Sequence, residues 1–193
     1  MRSLWQASHR ADPEARDVAD RHYNRQKPGT PQFVPPGRCM VLKRPGCFWV
    51  TSFPFARYVK HEWAGAWVCS AFRRERGPLA SDLIKEAVAR TVQYSFDTHS
   101  WAVEDLPRLG MVTFIDERKV RDKENFGRCY LLAGFEYAGR TKQDNLLALQ
   151  IPVVKAIDLW LNFYQGGRIS TRKEVKGKDH KSISNSLVTL TDY

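Results

Sequence analysis

Four side chains have the chemistry to move a proton or hold a metal: His22 and Tyr23, side by side, then Asp116, then Tyr130. An imidazole or a carboxylate accepts a proton as a general base. A phenol orients a substrate, and phenolate, carboxylate and imidazole all ligate iron. The two pairs lie far apart in the chain, so only the fold can unite them. Asp116 directly follows the apolar run Met111-Val112-Thr113-Phe114-Ile115, whose β-branched and aromatic content marks a buried strand. A carboxylate just past the C-terminal end of such a strand faces a ligand crevice in many sheets.

The segments around these residues predict the elements that position them. A charged connector, residues 117–125, leads to a short helix over 127–133, which Gly134 stops in the left-handed region. Phe135, Tyr137 and Gly139-Arg140-Thr141 begin another strand. Near the start, Asp12-Pro13-Glu14 opens a helix with Asp as N-cap and Pro at its first position. Ala15, Val18, Ala19 and His22 then fall on one helical face, with Tyr23 turned about 100° away. A rigid loop, Lys27-Pro28-Gly29-Thr30-Pro31, follows.

Residues 39–43 and 48–51 read as a hairpin, and residues 67–72 as a strand. Residues 53–67 interleave aromatics with Arg57, Lys60 and His61. Such a mixture either stacks on bases or builds core. After Arg73–Ala80, Ser81 is the expected N-cap of a helix whose inner stripe is Leu83, Ile84, Ala87, Val88 and Thr91. Residues 94–109 read as a loop and 146–151 as the last core strand. Residues 153–164 are apolar without a legible period. One domain over 12–165 is expected, between a flexible N-terminus (1–11) and a basic tail (166–193) rich in Lys, Ser and Thr.

The 193 residues carry 42% hydrophobic and 12% aromatic side chains, enough for a core. A net charge of +10 and a pI of about 9.6 suit a polyanionic partner better than an acidic metabolite. The four cysteines form no CxxC pair, which argues against a zinc ribbon or redox dithiol. With no apolar leader and no run of eighteen apolar residues, a cytoplasmic protein is expected.

The stretch from Met111 to Thr141 resembles two things at different depths. Strand, loop, short helix, Gly-Phe and strand make up the unit that closes the GNAT-like acyltransferase fold. More narrowly, "TFID", "GRCY" and "AGFEYAGRT" resemble the Mom family, phage proteins that place a methylcarbamoyl group on the exocyclic amine of DNA adenine and so protect phage DNA from restriction. His22-Tyr23, with Arg25 and Pro28 after it, matches the His-Tyr pair that ends that family's first helix. The resemblance covers most of residues 21–141.

The resemblance implies an α/β (α+β) fold with a mixed, mostly antiparallel central sheet flanked by helices. It implies a DNA-modifying transferase acting in an infected bacterial cell on double-stranded DNA. His22, Tyr23, Asp116 and Tyr130 would form the catalytic set, and iron would be held by Tyr23 and Asp116. The target adenine must leave the base stack, at a cost of a few kcal/mol. Arg25, Lys27, Arg38 and Lys60 would hold the backbone meanwhile, and Arg73 and Ser81 match the family's Arg and Ser at the turn before the second helix. An ordinary GNAT enzyme carries Q/R-x-x-G-x-G/A at that turn and binds the coenzyme A pyrophosphate there. This chain has Arg73-Arg74-Glu75-Arg76-Gly77-Pro78, and Pro78 has no N–H, so acetyl-coenzyme A is not expected. A conventional N-acetyltransferase and a non-catalytic nucleic-acid-binding module remain the competing readings. The donor of the transferred group and the oligomeric state are left open.

Overall fold

The computed structural model describes residues 3–34, 36–53, 62–120 and 125–164. Lys60, most of the 53–67 aromatic stretch and the basic tail from residue 166 lie outside them. In chain order the elements are β1 (Gln6–Ser8), α1 (Pro13–Ala19), β2 (Arg38–Arg44), β3 (Cys47–Phe53), β4 (Trp67–Arg74), α2 (Ala80–His99), β5 (Met111–Ile115), α3 (Arg128–Leu131), β6 (Glu136–Arg140), β7 (Leu147–Ile151) and α4 (Val153–Tyr164). The strands form one sheet in the order β1-β2-β3-β4-β5-β7-β6. Every neighbouring pair is antiparallel except β4 and β5. The fold is mixed α/β with a mostly antiparallel sheet, as expected. Among the described residues no helix is long and apolar enough to cross a membrane.

Two cores cover the two faces of the sheet. On one face α2 buries Leu83, Ile84, Ala87, Val88 and Val92 against Trp49, Trp67, Met111 and Ile151. On the other, Ala15, Val18 and Ala19 of α1 join Phe33 and Val34 over Phe48 and Val50. Residues 48 to 50 of β3 thus divide between the faces with the strand period of two.

The N-terminal residues differ from expectation. Ser3 and Leu4 donate to the buried Glu86 carboxylate at 2.6 and 2.8 Å, the Trp5 indole N–H donates to the Leu83 carbonyl at 2.8 Å, and β1 pairs with β2. A buried carboxylate needs such donors, and they dock a segment whose polar sequence reads as irregular.

Helix boundaries also moved. α1 starts as expected, with the Asp12 carboxylate accepting from the Glu14 and Ala15 N–H groups. It ends at Ala19, before His22, because Asp20 turns to accept from Arg25 Nε at 2.7 Å and from the Gly29 N–H at 2.8 Å. α2 begins at Ala80 with Leu79 at the N-cap, so Ser81 lies inside the first turn and does not cap. It runs on to His99, through residues expected to form a loop. Tyr94 packs on Phe53 and His99 there, and Ser100, at φ 52°, stops the helix in the left-handed region. α4 forms where no period was legible, half-buried along α2, with the Trp160 N–H on Gln93 Oε1 at 2.7 Å.

Candidate active site

β4 and β5 run side by side for only three paired residues, Trp67 with Met111, Val68 with Val112 and Cys69 with Thr113. Beyond Cys69 the pairing stops. On the other edge of β4 the register passes from Val50↔Ala71 to Thr51↔Cys69, so Ser70 is skipped and forms a bulge. A bulge bends its strand and re-aims the residues beyond it. On the edges where β4 and β5 face each other, backbone groups past Cys69 and Thr113 therefore lack ladder partners, and buried ones must find others.

The segment after α1 reaches this edge. The Gly110 carbonyl accepts from the Trp67 N–H at 2.9 Å, so alternate residues of β5 turn their backbone groups toward β4, and Asp116 continues that series. The Tyr23 hydroxyl feels the Asp116 backbone, which pulls its pKa down. The Phe72 backbone, on β4 past the bulge, acts on the His22 ring and favours its protonated form. The His22–Tyr23 pair thus sits at the place where the two parallel strands part. Its rings stack at 4.5 Å with an interplanar angle of 26°.

His22 is held, not poised. Its Nδ1 accepts from the Asn24 N–H at 3.2 Å. Burial, with the Arg73 charge behind it, lowers its pKa to about 4. The ring is neutral near pH 7. Tyr23 keeps its proton: burial raises its pKa, against the opposing pull of the Asp116 backbone. With that proton kept, its O–H can donate.

Asp116 is 5% exposed. Arg118 Nε and Nη2 grip its two oxygens at 2.8 and 3.0 Å, and the Arg118 N–H adds a third bond at 3.2 Å. Those Arg118 hydrogen bonds lower the carboxyl pKa, outweighing burial. The Arg118 side chain is itself 72% exposed. Tyr130 is buried deeper. Its hydroxyl lies 3.4 Å from Cys69 Sγ, and its ring meets Phe72 and Phe135 edge-on. Burial raises its pKa well above the usual phenol value, and burial pushes the Cys69 thiol to about 12. Cys69 thus borders Tyr130, and both Cys69 and Asp116 act on the ionisation of Tyr23.

The remaining residues divide. Arg25 forms the inner brace of its loop, with Nε on Asp20 and its terminal nitrogens on the Thr30 and Gln32 carbonyls at 3.0 and 3.1 Å. Its donors are thus engaged within the protein. Lys27 is exposed on the rim of a cleft of about 350 Å³ floored by Phe33, Phe48 and Val50. Arg38 is exposed where β2 begins. Arg73 pairs with Glu75 at 2.9 Å, and Glu75 also holds Arg21, so Arg73 too is bonded within the protein. Ser81 sits on the first turn of α2, partly exposed. In the turn before α2, Arg74 donates to the Gly77 carbonyl at 2.8 Å and caps that of Pro78, placing side chain where a pyrophosphate would need bare N–H groups.

Sequence reasoning missed Arg118, the Ser70 bulge and the Phe48 cleft. Arg118 had a readable signal, because an Asp whose side chain bonds backbone two residues on marks a local turn. The other two depend on strand register, which the sequence does not print.

As placed, the donors do not suit iron: burial keeps Tyr23 a protonated phenol, both Asp116 oxygens are engaged by a guanidinium, and His22 Nδ1 accepts from the Asn24 N–H. Among the described residues no group of three or more His, Cys, Asp and Glu is arranged to hold a metal. No family model, curated protein or solved structure matches this chain.

Proposed function

We propose that this protein is a DNA base-modifying transferase of GNAT-like architecture, similar to the Mom family, acting on the N6 amine of adenine. The observation that carries the reading is the meeting of Tyr23 with Asp116 where β4 and β5 diverge. The sheet order, its single parallel pair and the β4 bulge support a GNAT-like architecture. Such an architecture serves an acetyl-coenzyme A enzyme equally well, but the Arg74-filled, Pro78-containing turn argues against that donor.

The chemistry follows from the protonation states. The adenine amine is a weak nucleophile, its lone pair being delocalised into the ring. As N6 attacks the carbonyl carbon of the donor, negative charge grows on the carbonyl oxygen. The neutral Tyr23 O–H donates to that oxygen, a contact worth most in the transition state. Asp116, ionised at neutral pH, takes the N6 proton once Arg118 yields an oxygen, and the leaving group departs from the same carbon. His22 fixes the Tyr23 ring, and Tyr130 with Cys69 forms the dry wall behind it.

The reading is tested by expressing the protein in bacteria, digesting genomic DNA to nucleosides and measuring adenosine masses. A mass-shifted adenosine that vanishes in Asp116→Asn is expected. Unshifted adenosine from cells holding abundant folded wild-type protein would overturn it.

A further inference from the structure

We infer that the cleft beside His22 is the seat of an extruded nucleobase, with Lys27 meeting the phosphate next to it. This rests on the transfer reading and deepens it by placing the substrate. The cleft measures about 350 Å³, within the ~300–1,000 Å³ range of small-ligand sites. Its floor is apolar and aromatic: Phe48 is buried, and Phe33 meets it edge-on at 6.0 Å and 88°. A flat heteroaromatic ring gains from such a floor.

The rim is chemically selective. Asn24, Gln26 and Gln32 line it with amides, each able to donate and accept, the pattern that reads a purine edge. None of the described residues lining the cleft is acidic, so nothing there favours a cationic amine, while exposed Lys27 favours an anion. The loop that carries the rim is already braced. Arg25 ties Asp20 to the Thr30 and Gln32 carbonyls, and the Thr30 hydroxyl donates to the Lys27 carbonyl at 2.8 Å. A braced rim loses little entropy on binding. His22 borders both the cleft and Tyr23, so a base seated here lies one residue from the proposed chemistry.

The test uses the whole protein and a short single-stranded oligodeoxynucleotide carrying one photoreactive azidoadenine. Irradiation followed by peptide mapping should place the crosslink within residues 22–34 or on β3 or β4 beside Phe48 and Ser70. The double variant Gln26→Ala, Gln32→Ala alters only exposed amides. It should bind the oligonucleotide ~10-fold more weakly and lose most of the crosslink, with unchanged thermal stability. Lys27→Ala should weaken binding and flatten its salt dependence without moving the crosslink. Crosslinks mapping elsewhere, or a double variant that binds and crosslinks like wild type, overturn the inference even if modified adenosine is still made. Crosslinking in the cleft with no modified adenosine from wild type would uphold the seat and overturn the transfer reading instead.

Discussion

Tyr23→Phe isolates one hydroxyl whose position is the main link between structure and chemistry. The substitution keeps the ring, and so the 4.5 Å stack on His22. It removes the hydroxyl beside the Asp116 backbone, at the edge where the β4–β5 ladder has ended. An unpaired, largely buried backbone group costs ~1–3 kcal/mol; because Tyr23 is partly exposed and water can enter, the lower half of that range applies. For a chain of this size that is roughly 2–8 °C in Tm. Losing a donor to developing oxyanion charge costs far more rate, ~100–1,000-fold. The two effects separate cleanly. Well below the melting temperature the variant is still almost wholly folded, so a purely structural tyrosine would leave the yield of modified adenosine unchanged. The assay pairs a thermal melt and a DNA-binding titration with single-turnover product formation on purified DNA. A small Tm drop, unchanged DNA affinity and a rate lower by at least ~100-fold are expected. A melt shift with the wild-type rate would refute the donor role and leave Tyr23 as a peg between two strands.

Asp116→Asn keeps the shape and one acceptor for Arg118, so the melt should change by less than ~1 kcal/mol equivalent while product falls ~100-fold or more; a wild-type product rate would remove Asp116 as the base. His22 has a pKa lowered from 6.5 to about 4, so the unfolded chain takes up its proton first as pH falls. The stability that His22 contributes is complete above pH 6.5 and is lost on descending toward pH 4, at ~1.4 kcal/mol per unit. His22→Gln should flatten that limb of a stability–pH curve from denaturant melts, and an unchanged limb would assign it to other groups. Gly110→Ala puts a Cβ 2.1 Å from the Ile151 carbonyl oxygen at φ 68°. Severe destabilisation or insolubility should follow, and a wild-type melt would contradict the placement of β5 against the start of α4.

How much was legible depended on whether a signal was local. The α1 cap is written in three adjacent residues, Asp12-Pro13-Glu14, and it formed as read. The Met111–Ile115 strand and the Gly134 stop, with φ at 102°, were equally local. The end of α1 was not, because Asp20 abandons the helix for Arg25 and Gly29, and that choice needs the loop's return path. α2 outran its expected end since Tyr94 gains Phe53 as a partner, a contact across some forty residues of sequence that outweighs local preference. For the site, residue types named His22, Tyr23, Asp116 and Tyr130, but their states came from tertiary burial. A histidine that reads as a base is neutral, and an arginine that reads as a DNA contact also braces its own loop.

The structural and chemical readings of Tyr23 have a common origin. A single parallel pair in an otherwise antiparallel sheet cannot stay flush along its whole length here, because the Ser70 bulge bends β4 away after Cys69. His22-Tyr23 sits where the two strands part, with the Tyr23 hydroxyl beside the Asp116 backbone. On the proposed mechanism that hydroxyl donates to the negative charge that develops in the transition state. The arrangement makes opposite demands on the two neighbours. Tyr23 must tolerate Phe structurally and fail chemically, whereas His22, neutral and with Nδ1 bonded to the Asn24 N–H, must tolerate Gln chemically as long as the loop stays folded. If His22→Gln abolished product at full stability while Tyr23→Phe did not, the proton-handling roles would belong to the imidazole, and the hydrogen bond that now holds its Nδ1 would have to break before that nitrogen could react.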